Sequence, residues 1–140
     1  MAEDAYHELL AHVPLFEGLD HHDLEYIGKV ATLLDIKAGQ VLMNEGTLAH
    51  EMVIILDGTI EITREGEHIA DLGPGSFAGE IALLTRSHRN STVRAKTDVR
   101  VLHIDGRAFA SVLDEAPRIA VRMLPTVAAR VTANSESHTD

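Results

Sequence analysis

Two residues of opposite charge, Glu80 and Arg89, stand nine positions apart in Gly79-Glu80-Ile81-Ala82-Leu83-Leu84-Thr85-Arg86-Ser87-His88-Arg89-Asn90-Ser91-Thr92. A short strand-like stretch, Ser76-Phe77-Ala78, runs into a glycine, then the carboxylate, then four apolar residues, then a polar loop that ends in arginine. An apolar run of this length suits one short buried helical turn. Its first N–H groups, at Ile81, Ala82 and Leu83, have no partner within the helix and would favour an anion. The Arg89 guanidinium offers a fixed cation with paired donors for a phosphate. A carboxylate beside a phosphate is repulsive, so Glu80 must face a donor instead, such as a sugar hydroxyl. The ligand these residues imply is a small ribose phosphate.

The surroundings fit that chemistry unevenly. The chain carries a net charge of −10, which argues against nucleic acid as a direct partner, because DNA binding requires neutralisation of phosphates by Lys and Arg. Yet Thr85 to Lys96 holds Arg86, Arg89, Arg94, Lys96 and His88 and no acid. A basic window in an acidic chain falls on the proposed phosphate loop. There is no cysteine, hence no disulfide, iron–sulfur or thiolate chemistry, which suits a cytoplasmic protein. No apolar run approaches the ~18 residues of a membrane span.

The elements that must hold the loop follow from periodicity. Residues 1–11 and 20–34 show helical spacing, the second with Leu24, Ile27, Val30, Ala31 and Leu34 on one stripe and Asp20 as its N-cap. Short runs rich in Val, Ile, Leu and Thr follow, punctuated by glycines at 39, 46, 58, 66 and 73. Evenly spaced turns between short apolar strands indicate an antiparallel sandwich or barrel. Arg64-Glu65-Gly66-Glu67 and Asp57-Gly58 read as hairpin turns. Strands are expected over 91–95 and 99–105, then helices over 107–113 and from Pro117 to about Ala133. Ile119, Met123, Val127 and Val131 give the last helix an apolar face that could also join two copies, and Pro125 should kink it. One domain is expected over 1–133, with a polar, disordered tail over 134–140.

Four ordered segments resemble the cyclic nucleotide-binding domains of the catabolite activator protein, of cAMP-dependent protein kinase regulatory subunits and of cyclic nucleotide-gated channels. Gly79 to Thr92 resembles their phosphate-binding cassette. Val13 to Leu19 resembles the opening turn, Ala38 to Gly46 the first strand pair, and Ile54 to Ile62 the central hairpin. The resemblance covers roughly residues 13 to 131. It implies an α+β fold: an antiparallel β-roll, a jelly-roll-like double-stranded β-helix, flanked by N-terminal and C-terminal helices, with a short phosphate-binding helix inserted. It implies cAMP as ligand, with cGMP the alternative, and a sensor rather than an enzyme. Glu80 would take the ribose 2′-hydroxyl and Arg89 the phosphate. The helix from Pro117 would cap the base through Met123, Val127 or neighbours. Asn90 and Ser91 depart from the relatives, which commonly carry Ala, Thr or Ser after the arginine, so the cassette leaves the base preference open. A downstream protein partner is implied but not named.

Other motifs lead elsewhere. A transcription regulator of the catabolite activator type would need a helix-turn-helix after the sensor, so that alternative holds only if the sequence is a fragment of a longer protein. Gly73-Pro74-Gly75-Ser76-Phe77-Ala78 satisfies a G-x-G-x-x-A dinucleotide pattern but lacks the βαβ context. His50-Glu51 resembles half of a cupin metal motif, without its other histidines. His21-His22-Asp23 points its ligands to different sides of a helix.

Overall fold

The computed structural model describes the backbone of residues 2–139 and the side chains of residues 7–133. Helix α1 (Ala2–Ala11), a 3-10 turn (Pro14–Phe16) and α2 (His21–Val30) precede the strands. These are β1 (Thr32–Ile36), β2 (Val41–Met43), β3 (Glu51–Asp57), β4 (Ile60–Arg64), β5 (Glu67–Leu72) and β6 (Phe77–Ala78). Helix α3 (Glu80–Thr85) interrupts them, followed by β7 (Thr92–Ala95), β8 (Val99–Asp105), α4 (Gly106–Glu115) and α5 (Pro117–Thr139). Asp20 caps α2 as expected, its side chain accepting from the Asp23 amide at 2.9 Å. Leu34 leaves the helical stripe, however. The helix ends at Val30, and Leu34 lies in β1 opposite Val101.

The strands form two four-stranded antiparallel sheets, in the orders β1-β8-β3-β6 and β2-β7-β4-β5. The continuous apolar run of β3 follows from burial on both of its faces. Val53 and Ile55 point into the roll with Ile60, Val93 and Val101, while Met52 and Ile54 pack under the helices with Phe16, Ile27 and Phe109. Strand β8 alternates in the same way, Val99 and Val101 inward, Leu102 and Ile104 toward the helices. A sheet covered on both sides loses the clean apolar–polar alternation of a half-exposed one.

Two expected pairings are corrected. Strands β3 and β4 do not form a hairpin across Asp57-Gly58: β3 pairs with β8 and β6, β4 with β7 and β5. Gly58, at φ +85, carries the chain from one sheet to the other, and the β3–β8 register slips between Ile55 and Asp57. Nor does the segment Ala38 to Gly46 hold a strand pair; it contributes one strand, β2, which pairs with β7. The turn at Arg64-Glu65-Gly66-Glu67 is a true hairpin, with Glu65 at φ 51 and Gly66 at φ 80 between paired Arg64 and Glu67. Two successive positive φ values match the right-handed twist of the strands.

Helix α5 starts at Pro117, as expected, and runs through Pro125 without interruption. Ile119 and Met123 are buried in the helix–sheet core and Val127 packs against its edge. Val131, at 46% exposure, has left it. The expected tail from Asn134 onward falls on residues whose side chains lie outside the described set.

At Gly58 an added Cβ would collide with the Asp98 carbonyl oxygen and approach Val99, whereas at Gly39, also at positive φ, it would meet nothing within 4 Å. Gly39→Ala should therefore cost about 1 kcal/mol of stability and Gly58→Ala about 2–4 kcal/mol. Urea unfolding of the two variants checks the difference.

Candidate functional site

The site is built around the six residues of α3. Strand β6 pairs with β3 through Ala78 and Val53, which delivers Gly79 to the end of the first sheet. Gly79 sits at φ +93 as the N-cap; a Cβ there would stand 2.6 Å from Met43 Cε and 2.9 Å from Arg89 Nη1. No other residue fits that turn. Arg86, left-handed at φ 54, closes the other end of the helix. The chain then returns along the 46–48 segment, with the Arg89 amide donating to the Thr47 carbonyl and the Gly46 amide to the Arg89 carbonyl, both at 2.8 Å.

Glu80 and Arg89 are the two buried charged residues among those described, at 1% and 6% exposure. Arg89 Nη2 donates to the Glu51 carbonyl at 2.6 Å and stands 3.4 Å from the Glu51 carboxylate, while Nη1 donates to the Gly79 carbonyl at 3.3 Å. Burial pulls its pKa below the ordinary guanidinium value, opposed by Glu51 and, at greater distance, Glu80. An arginine stays charged through any such shift. Glu80 Oε1 accepts from Arg130 Nη1 at 2.5 Å. Arg130 in turn donates to the Phe77 carbonyl at 2.8 Å and lies 4.8 Å above the Phe77 ring. Glu80 Oε2 is buried without a donor among the described residues.

Beside these groups opens a cavity of about 510 Å³, the volume of a small-molecule site. Gly79, Glu80, Ile81, Ala82, Arg89, Asn90 and Ser91 all line it, so the structure brings seven of the eight expected site residues to one wall. Leu83 is the exception. Its side chain packs toward the helix–sheet core and a separate apolar recess, leaving only its first-turn amide for the site. The opposite wall is apolar, with Met43, Ile62, Ala70, Leu72 and Val93 supplied mainly by the second sheet.

Several features were not foreseen. Met123 and Val127, expected over the base, face the core instead, and the α5 residues that line the cavity are Arg130 and Ala133, further along the helix. The basic window disperses: Arg94 donates to the Gly39 carbonyl and Lys96 pairs with Asp71, so that only Arg89 and His88 of that window line the cavity. Arg64 enters instead, donating from Nε to the Asn90 carbonyl at 3.0 Å and from Nη2 to Ser91 Oγ at 3.3 Å. The Ser91 hydroxyl also reaches Asn90 Oδ1 at 3.0 Å. Glu51, half of the would-be cupin motif, is engaged with Arg89. Arg130 and Glu51 had only weak sequence signals, an arginine following an apolar helix face and an acid beginning an apolar strand.

Residues 33–116 match the cyclic nucleotide-binding domain family, and the chain belongs to it. It is 34% identical over 130 residues to a putative potassium channel protein of Rhodopseudomonas palustris, covering 90% of this chain and 31% of the relative. Against the human potassium/sodium hyperpolarization-activated cyclic nucleotide-gated channel 3 it is 35% identical over 123 residues, covering 86% of this chain and 15% of the channel. The chain thus spans less than a third of either relative. In fold it superposes on the Thermus thermophilus catabolite activator protein with a TM-score of 0.76 at 21% identity, covering 90% of this chain and 62% of that one. The cAMP-bound PfPKA-R structure gives 0.81 at 20% identity, covering 96% and 47%. Two antiparallel sheets with flanking helices are the fold of this family. Among the described residues no helix is long and apolar enough to cross a membrane.

Arg130 is 26% exposed and Glu80 is buried, so losing the arginine leaves a buried carboxylate without its ion-pair partner. Arg130→Ala should cost about 1–3 kcal/mol, less than the loss of a fully buried partner, and adding Glu80→Gln should recover most of it. A double-mutant cycle in chemical denaturation measures this coupling.

Proposed function

We propose that this domain is a non-catalytic sensor of cAMP, in which nucleotide binding at α3 is read out by α5. The observation that carries the reading is the Glu80 carboxylate. One oxygen is held by Arg130 and the other is buried with no donor among the described residues, on a side chain that lines the cavity. A buried acceptor left unmade costs free energy that a hydroxyl from a ligand would recover. Ribose supplies that hydroxyl through its 2′-position. The cyclic phosphate then lies toward Arg89 and the first-turn amides of Ile81, Ala82 and Leu83, and the purine rests against the apolar wall. The cAMP-bound fold relative favours cAMP over cGMP as the ligand.

The switch would run through Arg130. It couples α5 to the ligand-bearing carboxylate and to Phe77 at once. A ligand that engages Glu80 changes the contacts holding the end of α5 and so shifts the population of its docked state. The same reading carries a cytoplasmic location and no direct contact with nucleic acid at a net charge of −10. It also carries pairing of two chains through the exposed Val121, Leu124 and Val131 of α5, and an unnamed protein as the output.

Calorimetry tests the ligand. Arg89→Ala should weaken cAMP at least ~100-fold, since two charge-assisted bonds are lost; affinity within about threefold of the parent would sink the assignment. Glu80→Gln should cost less, and its cost should shrink further with 2′-deoxy-cAMP as ligand. Hydrogen exchange tests the switch. On adding cAMP, amides of Ile81 to Leu83 and of Val127 to Ala133 should slow together. Protection confined to α3 would leave the ligand site standing and remove α5 from the mechanism.

A further inference from the structure

Helix α3 is a partition with a cavity on either side. Ala82 and Ser87 line the cavity described above and also a second recess of about 500 Å³, again the size of a small-molecule site. Its walls are α3, α4 and the segment leading into β3, which contribute Leu83 and Leu84, Phe109 and Leu113, and Leu48. Leu48 and Leu84 are 56% and 49% exposed, so apolar surface at this recess still faces water. Covering it would be favourable for any molecule with a matching apolar part.

The polar residues of the recess say what else that molecule should carry. They are His50, Arg86 and Ser87, and no acid lines it, in a chain of net charge −10. The acids next to it in sequence are engaged elsewhere, Glu51 with Arg89 and Asp105 with the Ala108 amide. Ser87 is bonded to the Thr85 hydroxyl. The exposed Arg86 side chain has no hydrogen bond or ion pair among the described residues. Arg86 also stands at φ 54 and ψ 44, the left-handed position that closes a helix and that glycine occupies without strain. The turn itself gains nothing from a side chain there, and a strained residue of this kind points to a role outside the fold.

We propose that the recess between α3 and α4 is a second ligand site, which takes a small apolar carboxylate of the fatty-acid class. The alkyl chain lies against Leu48, Leu83, Leu84, Phe109 and Leu113, and the carboxylate pairs with the Arg86 guanidinium, whose paired donors match its two oxygens. The site is separate from the nucleotide reading and stands or falls without it.

The test uses the whole chain, methyl-labelled for NMR, and three probes below micelle-forming concentrations. Decanoate has chain and charge, decanol has the chain alone, and acetate has the charge alone. Decanoate should bind saturably and shift the methyl signals of Leu48, Leu84 and Leu113; decanol should bind at least ~tenfold more weakly, and acetate should leave those signals in place. Arg86→Gly removes the cation and relieves the left-handed strain, so the fold should survive it. That variant should weaken decanoate at least ~tenfold and leave decanol unchanged, while Arg86→Lys keeps most of the decanoate affinity. Equal binding of decanoate and decanol, or a decanoate affinity indifferent to Arg86→Gly, would overturn the proposal. So would decanoate shifts at Ile62 and Leu72, which would put the chain in the first cavity. Leu48 and Leu84 signals that move with protein concentration alone would mean that a second copy covers the recess, and would overturn it too.

Discussion

A carboxylate and a guanidinium, both nearly inaccessible to water, sit at the first residue of one six-residue helix and shortly after its end. Taking either ion out of water costs several kcal/mol unless partners are already in place. The partners come from separate parts of the chain: the Glu51 carbonyl and carboxylate at the start of β3, the Gly79 carbonyl ahead of α3, and the Arg130 guanidinium from α5. Much of the architecture keeps those partners where they are. Strand β3 pairs with β6, so one sheet holds both the acid behind Arg89 and the strand that leads into Gly79. The left-handed Gly79 lets Met43 and Arg89 approach the turn where a side chain would block both.

The rest of the fold divides the work between its two sheets. The first is covered on both faces, by the second sheet and by the helices, and its central strands β3 and β8 bury apolar residues on each. That makes it the firm base from which β6 and α3 project. The second sheet gives the cavity its apolar wall, and its outer edge is less buried, with β5 largely exposed. Helix α5 belongs to both regions. Its first half is anchored by Ile119 and Met123 in the core, and its second half reaches the cavity through Arg130 and Ala133. Anchorage in the core at one end, and Arg130 held by Glu80 and Phe77 at the other, is the arrangement on which the proposed switch rests.

Much of this was legible locally. The glycine, carboxylate and apolar run of the α3 turn, the Asp20 cap, the Pro117 helix start and the Arg64–Glu67 hairpin are all set by residues within a few positions of one another. They depend on backbone conformation and first-turn hydrogen bonding, which short sequences specify. Four such segments in order were also enough to indicate the family and the wall of the cavity that α3 supplies.

Tertiary structure alone decided which strands pair, which cations reach the cavity and what stands behind each buried charge. Strands β3 and β4 are neighbours in sequence and lie in different sheets, because a bulge and a left-handed glycine carry the chain across. Arg89 finds Glu51 across 38 positions, and Glu80 finds Arg130 across 50. Helical periodicity gives α5 one apolar face and does not say where along it the core ends, so it points to Met123, Val127 or neighbours and does not single out Arg130 as the residue at the cavity. Local chemistry shaped the binding turn by itself; the charges that complete it meet only when distant elements pack, since periodicity records which face is apolar and not what that face will meet.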